Sequence, residues 1–300
     1  MKRLLLAILL LVPCLLHARS YLEAGARLGL AGLTYDCEYG GTMPGYHAAL
    51  DIGYLYRSPY WVAFRVGASV EAMSSSYYKR HYQDEYTATD TENERMVVKY
   101  DIGVLRERHR NYAVSFPVQL GFHLQRFTFL IGPRFTVPFG GSWKQTESDA
   151  ALAVYYPKYD NLVEEAYALA ASRSFEMEAK GDLALPKWQC SLSGELTYDL
   201  LLSSHYGKSE SFISFGVYFD ACLTPAPTTA VEERYGILRL SDMADGLPLT
   251  RFMTPVLQAW YHERPLVAKF GNFDVGFKVA YHLTSAPRQR RTHRGCNCDE

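Results

Sequence analysis

The chain has 300 residues, and its 31 basic and 32 acidic side chains leave a formal net charge of −1, a balance too mild to argue for or against nucleic acid. Beyond the first twenty residues no run of about 18 apolar residues occurs, which excludes a membrane helix there. Aromatic residues make up 14% of the chain, with 23 tyrosines, a load that a soluble core rarely needs and that girdles at two membrane interfaces would use.

Lys2 and Arg3 precede an apolar run from Leu4 to Leu16, and Ala18-Arg19-Ser20 puts small residues where a signal peptidase inspects them. Residues 1–20 are therefore expected to be a cleavable secretory signal that takes no part in the fold. Cys14 opens a lipoprotein reading, against which stand Pro13 directly before it and the shortness of the run. Cleavage removes three cations, Lys2, Arg3 and Arg19, and takes the net charge from −1 to −4. The five remaining cysteines, Cys37, Cys190, Cys222, Cys296 and Cys298, are odd in number and irregular in spacing, so they spell no disulfide framework.

From residue 21 the chain alternates apolar and polar residues in eight segments, each the mark of a strand with one oily and one wet face. The first, 21–32, sets Leu22, Ala24, Ala26, Leu28 and Leu30 against Glu23, Gly25, Arg27 and Gly29. After a loop with Cys37 and Gly40-Gly41 come 46–56, a tight Arg57-Ser58-Pro59 connection, and 62–71. The pattern then dissolves into a polar stretch, 74–110, expected as a long loop in which 96–105 extends a strand. Residues 112–124 alternate most cleanly, Gln125-Arg126 turns the chain, and 127–139 returns, so the two form a hairpin. A second long loop, 140–185, with a short helix near 161–172, leads to strands over 188–200 and 212–221 joined by 203–208. A third, 224–269, precedes the closing strand, 271–283.

Short connections follow the second, fourth and sixth strands, and longer ones the others, the asymmetry of barrels whose inner turns are short and outer loops long. Each strand passes the ~9–11 residues needed to cross the hydrocarbon at a tilt. The expected fold is all-β, an eight-stranded antiparallel up-and-down transmembrane β-barrel over 21–283 with long extracellular loops, followed by a disordered basic periplasmic tail, 284–300. Two soluble folds also alternate. A β-sandwich has no need for every connection at one end to be long. A lipocalin-like barrel would turn its oily face inward around a ligand. Here the wet face carries Glu23, Arg27, Asp51, Arg65, Arg134, Glu195, Asp199, Asp220, Asp274 and Lys278, charges that can pair in a narrow lumen and would be costly facing lipid. Eight strands leave an interior just wide enough for side chains to fill, so a plug is favoured over a small pore. Cys37 and Cys222, both near the outer ends of strands, are candidates for a rim disulfide.

In the closing segment Asp274, Gly276, Val279 and Tyr281 fit a polar-x-Gly-x-x-hydrophobic-x-aromatic pattern that resembles the signal read by the barrel-assembly machinery. The 112–139 hairpin, with Phe116-Pro117-Val118 entering it and Ile131-Gly132-Pro133 on its second strand, resembles the central hairpin of the OmpA-like or PorT-like outer-membrane β-barrel domain family. That resemblance implies an eight-stranded barrel, in a family whose members are variously structural, adhesive or tied to secretion. The seventeen residues after Leu283 depart from it, since many such barrels end on the last aromatic strand.

No nucleotide-binding, P-loop, HExxH or paired CxxC pattern occurs. His293, Cys296, Cys298 and Asp299 are types that bind a soft metal, but two thiolates beside one histidine make an incomplete site. Arg288, Arg290, Arg291 and Arg294 suit an anionic periplasmic partner or plain solvation. His81, Asp84, His205 and His262 are available for rim chemistry, yet no spacing links them, and no catalytic, cofactor-binding or metal residue is assigned. The expectation is an exported protein of the outer membrane of a Gram-negative bacterium. It would be a structural scaffold or surface-interaction protein working through 74–110, 140–185 and 224–269, because recognition sits on loops held by a rigid frame. The alternatives are a narrow solute channel and, third, a barrel enzyme. Its partners would be the lipid bilayer, the barrel-assembly machinery and an extracellular ligand or periplasmic partner, with no nucleic acid and no cofactor.

Overall fold

The computed structural model describes residues 19–35, 40–89, 92–163, 175–203, 211–227, 236–240, 251–261, 264–267 and 269–284. The first five strands are β1 (Arg19–Tyr35), β2 (Gly41–Arg57), β3 (Val62–Thr89), β4 (Arg95–Leu124) and β5 (Phe127–Tyr156). Two short strands, β6 (Asn161–Val163) and β7 (Phe175–Asp182), pair with β5, and β8 (Gln189–Ser203) and β9 (Ser211–Cys222) follow. Beyond them β10 (Ala226–Pro227) precedes two small antiparallel pairs, β11 (Leu238–Leu240) with β12 (Arg251–Met253) and β13 (Trp260–Tyr261) with β14 (Arg264–Pro265). The last strand, β15 (Lys269–Thr284), also takes β10 on its outer end.

The long strands run in the order β1-β2-β3-β4-β5-β8-β9-β15, and β15 pairs back onto β1 from Tyr21↔Thr284 to Tyr35↔Phe270. Eight antiparallel strands thus form a closed ring, which removes the two open edges a flat sheet would leave. The alternation is inside out compared with a soluble protein. Leu28 is 66% exposed, Leu50 71% and Phe277 73%, whereas Arg27 is 1%, Asp51 2% and Lys278 2% exposed.

Prolines shape the ladder as their missing N–H requires. Between Pro44 and His47 the β2–β3 register shifts in a bulge. Between β4 and β5 the pairing stops at Pro117↔Arg134 and resumes at Leu120↔Ile131, so the ladder opens beside Pro133.

The first two predicted long loops are corrected. Residues 74–89 and 95–110 continue β3 and β4, paired from Ser74↔Arg110 to Thr89↔Arg95. Residues 140–156 continue β5, and β7 lies alongside them from Ser142↔Asp182. The alternation was hidden because this extension has polar residues on both faces and changes parity once. His81 sits in the left-handed region at φ 49°. Below it β3 buries the odd residues Glu71, Met73, Ser75 and Tyr77, and above it Tyr82. Of the helix predicted over 161–172, residues 161–163 are strand β6, paired as Val154↔Val163; the remainder lies outside the described residues, as do the predicted leader up to residue 18 and the tail from 285.

The third predicted loop contributes a core of its own. Ile237, Val256, Leu257, Leu266 and Val267 pack with Tyr77, Tyr82, Tyr100, Ile102, Leu105 and Trp143 of the extension. The Val256 backbone N–H donates to both carboxylate oxygens of Glu107 at 3.1 and 2.9 Å, and Glu107 also pairs with His109. The Tyr100 hydroxyl donates to Asp84 at 3.0 Å, and burial, then Tyr100 and Asp84, pushes the Tyr82 phenol well above its ordinary range. At the opposite end of the ring Tyr21, Leu55, Ala63, Leu130 and Phe212 form an apolar floor.

If the extension is a sheet, backbone amides over 76–88 and 96–108 should exchange roughly 100-fold slower than in an unstructured chain, as expected of a paired unit with its own core. Hydrogen–deuterium exchange of the detergent-refolded chain makes this measurement, and free-chain rates there would refute the paired hairpin.

Candidate functional site

The ring's interior is filled by two tiers of charged side chains that alternation turns inward. The tier nearer the apolar floor is built from β1, β3, β8 and β15. Arg65 reaches Glu23 at 2.7 Å and Glu195 at 3.1 Å, and Lys278 reaches the same two carboxylates at 2.8 and 2.7 Å. Arg65 also donates to the Gln119 side-chain oxygen at 3.1 Å, and the Gln119 amide donates to Ser193 at 3.1 Å. Two cations face two carboxylates, so this tier is neutral. Beside it, on the floor, Arg57 pairs with Asp199 at 2.6 Å and lies 4.7 Å over the Phe212 ring.

The second tier, toward the extension, is not neutral. Arg27 reaches Asp51 and Asp220 at 3.0 Å each, and Arg134 reaches Asp220 at 3.2 Å and pairs with Glu71. Arg134 is further held by Ser69 at 2.9 Å and Ser115 at 2.6 Å. His47 shares a 2.6 Å hydrogen bond with the Tyr218 hydroxyl and lies 3.5 Å from both Glu71 and Asp274. Asp51, Glu71, Asp220 and Asp274 thus outnumber Arg27 and Arg134 by two, with His47 and the Tyr218 phenol beside them. Outward of this tier Glu71, Arg134, Asp220, Asp274, Gln189 and Asn272 line a cavity of ≈ 20 Å³, room for about one water.

Glycines decide how closely this filling can pack. Gly29 and Gly276 face each other in the β1–β15 register, and Tyr218 occupies the space they leave. A Cβ on Gly29 would stand 2.7 Å from the Tyr218 hydroxyl and 2.3 Å from the Val275 carbonyl oxygen; one on Gly276 would stand 2.2 Å from the Leu28 carbonyl oxygen. The released space lets Tyr218 lie 5.0 Å under the Arg27 guanidinium.

All ten residues assigned to the lumen are buried. Glu23, Arg65, Glu195 and Lys278 meet in one tier, Arg27, Asp51, Arg134, Asp220 and Asp274 in the other, and Asp199 stands apart on the floor with Arg57. Sequence reading left out Glu71, His47 and Arg57, although Glu71 and His47 share the inward parity of their strands and could have been added on that ground. Of the closing-strand pattern, Asp274 faces inward beside the Gly29–Gly276 approach, while Val279 and Tyr281 are exposed on the outer face. His81 is exposed, Asp84 is tied to Tyr100, and His205, His262, His293, Cys296 and Cys298 lie outside the described residues. Cys222 and Cys190 are free thiols, so the structure holds no rim disulfide at Cys222; Cys37 lies outside the described residues. Among the described residues no group of three or more His, Cys, Asp or Glu is placed to hold a metal ion.

No protein-family model matches the chain, and no curated protein matches it. Among solved structures it aligns with Ail, the attachment invasion locus protein of Yersinia pestis, in complex with the heparin analogue sucrose octasulfate. That alignment covers 87% of this chain and 99% of that one at 6% identity and a TM-score of 0.26, a likeness too low to carry any argument.

Breaking a buried pair leaves an uncompensated charge, so Arg134→Gln is expected to destabilise the folded chain by about 3 kcal/mol or more. Asp274→Asn relieves a tier already rich in carboxylates and is expected to be neutral or stabilising. Urea unfolding followed by the mobility difference between heated and unheated samples compares the two; equal losses would contradict the charge imbalance.

Proposed function

We propose that the chain is an integral outer-membrane β-barrel whose ring is a plugged scaffold and whose outer extension presents a recognition surface. One observation carries this reading: the ring's exposed face is a continuous apolar band while its charges are enclosed. On β4 the exposed face is apolar from Tyr112 through Phe116, Val118 and Leu120 to Phe122, ten residue steps. At ~3.3 Å per residue and a tilt near 40° that is about 25 Å of height, the apolar band of a transmembrane barrel.

Aromatic pairs stand at both ends of the band. Tyr112 stacks on Phe139 at the outer end, and Phe122 with Phe129 and Phe127 with Tyr198 stand at the inner end, near exposed Tyr60 and Trp61. The predicted leader, the short inner turns and the OmpA-like or PorT-like hairpin belong to the same reading. Export through the signal and insertion by the barrel-assembly machinery follow from it.

Within the ring, guanidinium and carboxylate groups of non-neighbouring strands meet in the lumen, Arg65 of β3 with Glu195 of β8 and Arg134 of β5 with Glu71 of β3, which supports a scaffold over a channel. The extension, stiffened by the core that Ile237, Val256, Leu257, Leu266 and Val267 complete, is the part that stands clear of the band, and it is where an extracellular ligand would be met.

Residues 21–300, refolded and verified by the heated-versus-unheated mobility difference, should insert into lipid vesicles yet stay electrically silent in planar bilayers. Steady conductance steps altered by Arg65→Gln would replace the plug with a pore. A chain that folds in water without lipid or detergent would overturn the membrane reading itself.

A further inference from the structure

Asp220 of β9 and Asp274 of β15 are partners in the strand register, and both are buried, at 3% and 5% exposed. Two carboxylates thus point inward side by side, where like charges repel and burial makes the repulsion costly. The arginines of the tier answer only part of it. Asp220 takes Arg27 and Arg134 on Oδ2, and its Oδ1 has no hydrogen-bond partner. Arg134 is otherwise spent on Glu71, Ser69 and Ser115. Asp274 pairs with no arginine or lysine among the described residues. Its Oδ1 lies 3.5 Å from His47 Nδ1, a nitrogen already engaged by Tyr218 at 2.6 Å, and it too lacks a hydrogen-bond partner.

A third acceptor belongs to the same place. Asn272, two residues from Asp274 and on the same face of β15, donates to the Gln189 side chain at 3.0 Å. That bond uses one oxygen and one nitrogen of the two amides, so one amide oxygen is left over, Asn272 Oδ1 in this orientation. Asp220, Asp274, Asn272 and Gln189 all line the cavity of ≈ 20 Å³, and the Thr136 and Ser191 hydroxyls add to its oxygen-rich wall. Three unpartnered acceptors, two of them on carboxylates, therefore surround room for about one water. A water would satisfy two acceptors and leave the excess charge of the tier untouched. A cation answers both.

The lining says which cation. The free acceptors are all oxygens, the choice of a hard ion. Magnesium keeps several waters, and calcium gathers about 6–8 oxygens, often through bidentate carboxylates. So small a cavity, with two free carboxylate oxygens, suits neither, in keeping with the want of a metal-holding group of three or more His, Cys, Asp or Glu among the described residues. We propose that Asp220, Asp274 and Asn272 bind one sodium-sized monovalent cation in the lumen, between the second tier and the extension. The site depends on the closed ring and not on the lipid around it.

For the test, the detergent-refolded chain is unfolded in urea at fixed pH and fixed chloride, with sodium, calcium or N-methylglucamine as the only cation, and the folded fraction is read from the heated-versus-unheated mobility difference. Glucamine screens surface charge much as sodium does and is too large for the cavity, so a difference between them reports a site. Sodium at about ten times its dissociation constant should raise the folded-to-unfolded ratio roughly 10-fold over glucamine. Asp274→Asn and Asn272→Ala should lose that response, and in glucamine Asp274→Asn should be at least as stable as the parent. A second readout needs no unfolding. In equilibrium dialysis against tracer sodium in glucamine chloride, the parent should hold an excess of sodium that Asp274→Asn lacks. Equal stability in sodium and glucamine, or a sodium response and dialysis excess that survive Asp274→Asn, would overturn the site. So would a response to calcium alone, or a stabilisation that follows acidification and ignores sodium, which would give Asp220 and Asp274 a shared proton in place of the ion.

Discussion

Pairing of the first long strand with the last, residue by residue from Tyr21 with Thr284 to Tyr35 with Phe270, is the constraint on which the rest depends. It satisfies the backbone groups that an open sheet would leave at its edges, and it fixes the circumference at eight strands. In a ring that small the inward positions lie close enough for long side chains of different strands to touch. Arg27, Arg65, Arg134 and Lys278 are therefore driven against carboxylates of strands up to three places away in the ring, and the pairing they make is a consequence of closure as much as a cause of it.

The interior is graded along its axis. An apolar floor with one peripheral ion pair gives way to a neutral tier, then to a tier with two carboxylates in excess, and beyond the ring to an apolar core made by the extension with Ile237, Val256, Leu257, Leu266 and Val267. Buried ion pairs add little net stability over apolar packing of the same volume, because desolvation offsets most of the attraction. Their value here is geometric. Arg65 can be satisfied only if β1, β3, β4 and β8 are in register at once, and such a requirement selects one pairing of strands over its neighbours one residue away.

Much of this was legible in the sequence wherever one face of a strand is apolar and exposed and the other meets the enclosed interior. There the two environments differ so sharply that period two stands out, and the eight crossing segments and their inward charges follow from parity alone. The reading failed where that contrast ends. Beyond Tyr112 the outer face turns to Arg110, Arg108 and Arg106, so an extended hairpin looks like a polar loop, and the left-handed turn of His81 exchanges the buried and exposed parities midway. The core formed by Ile237, Val256 and Leu266 was invisible for another reason: its partners Tyr82, Ile102 and Trp143 lie 94 or more residues away, and no local pattern announces such contacts. Glu71 and His47 sat in plain view on inward positions, and only their omission from the charge list kept them out of the network.

The neutral tier also bears on the order in which the molecule can be made. Glu23 comes from the first strand, Arg65 from the third, Glu195 from the eighth and Lys278 from the last. A chain synthesised up to β9 has both carboxylates and only one of their two cations, so its interior is electrically incomplete and cannot be dehydrated at low cost. Closure and drying of the lumen must then be a single late event, performed by the strand that emerges last. Until that moment the interior stays wet and the sheet stays open along the edges that β15 will join.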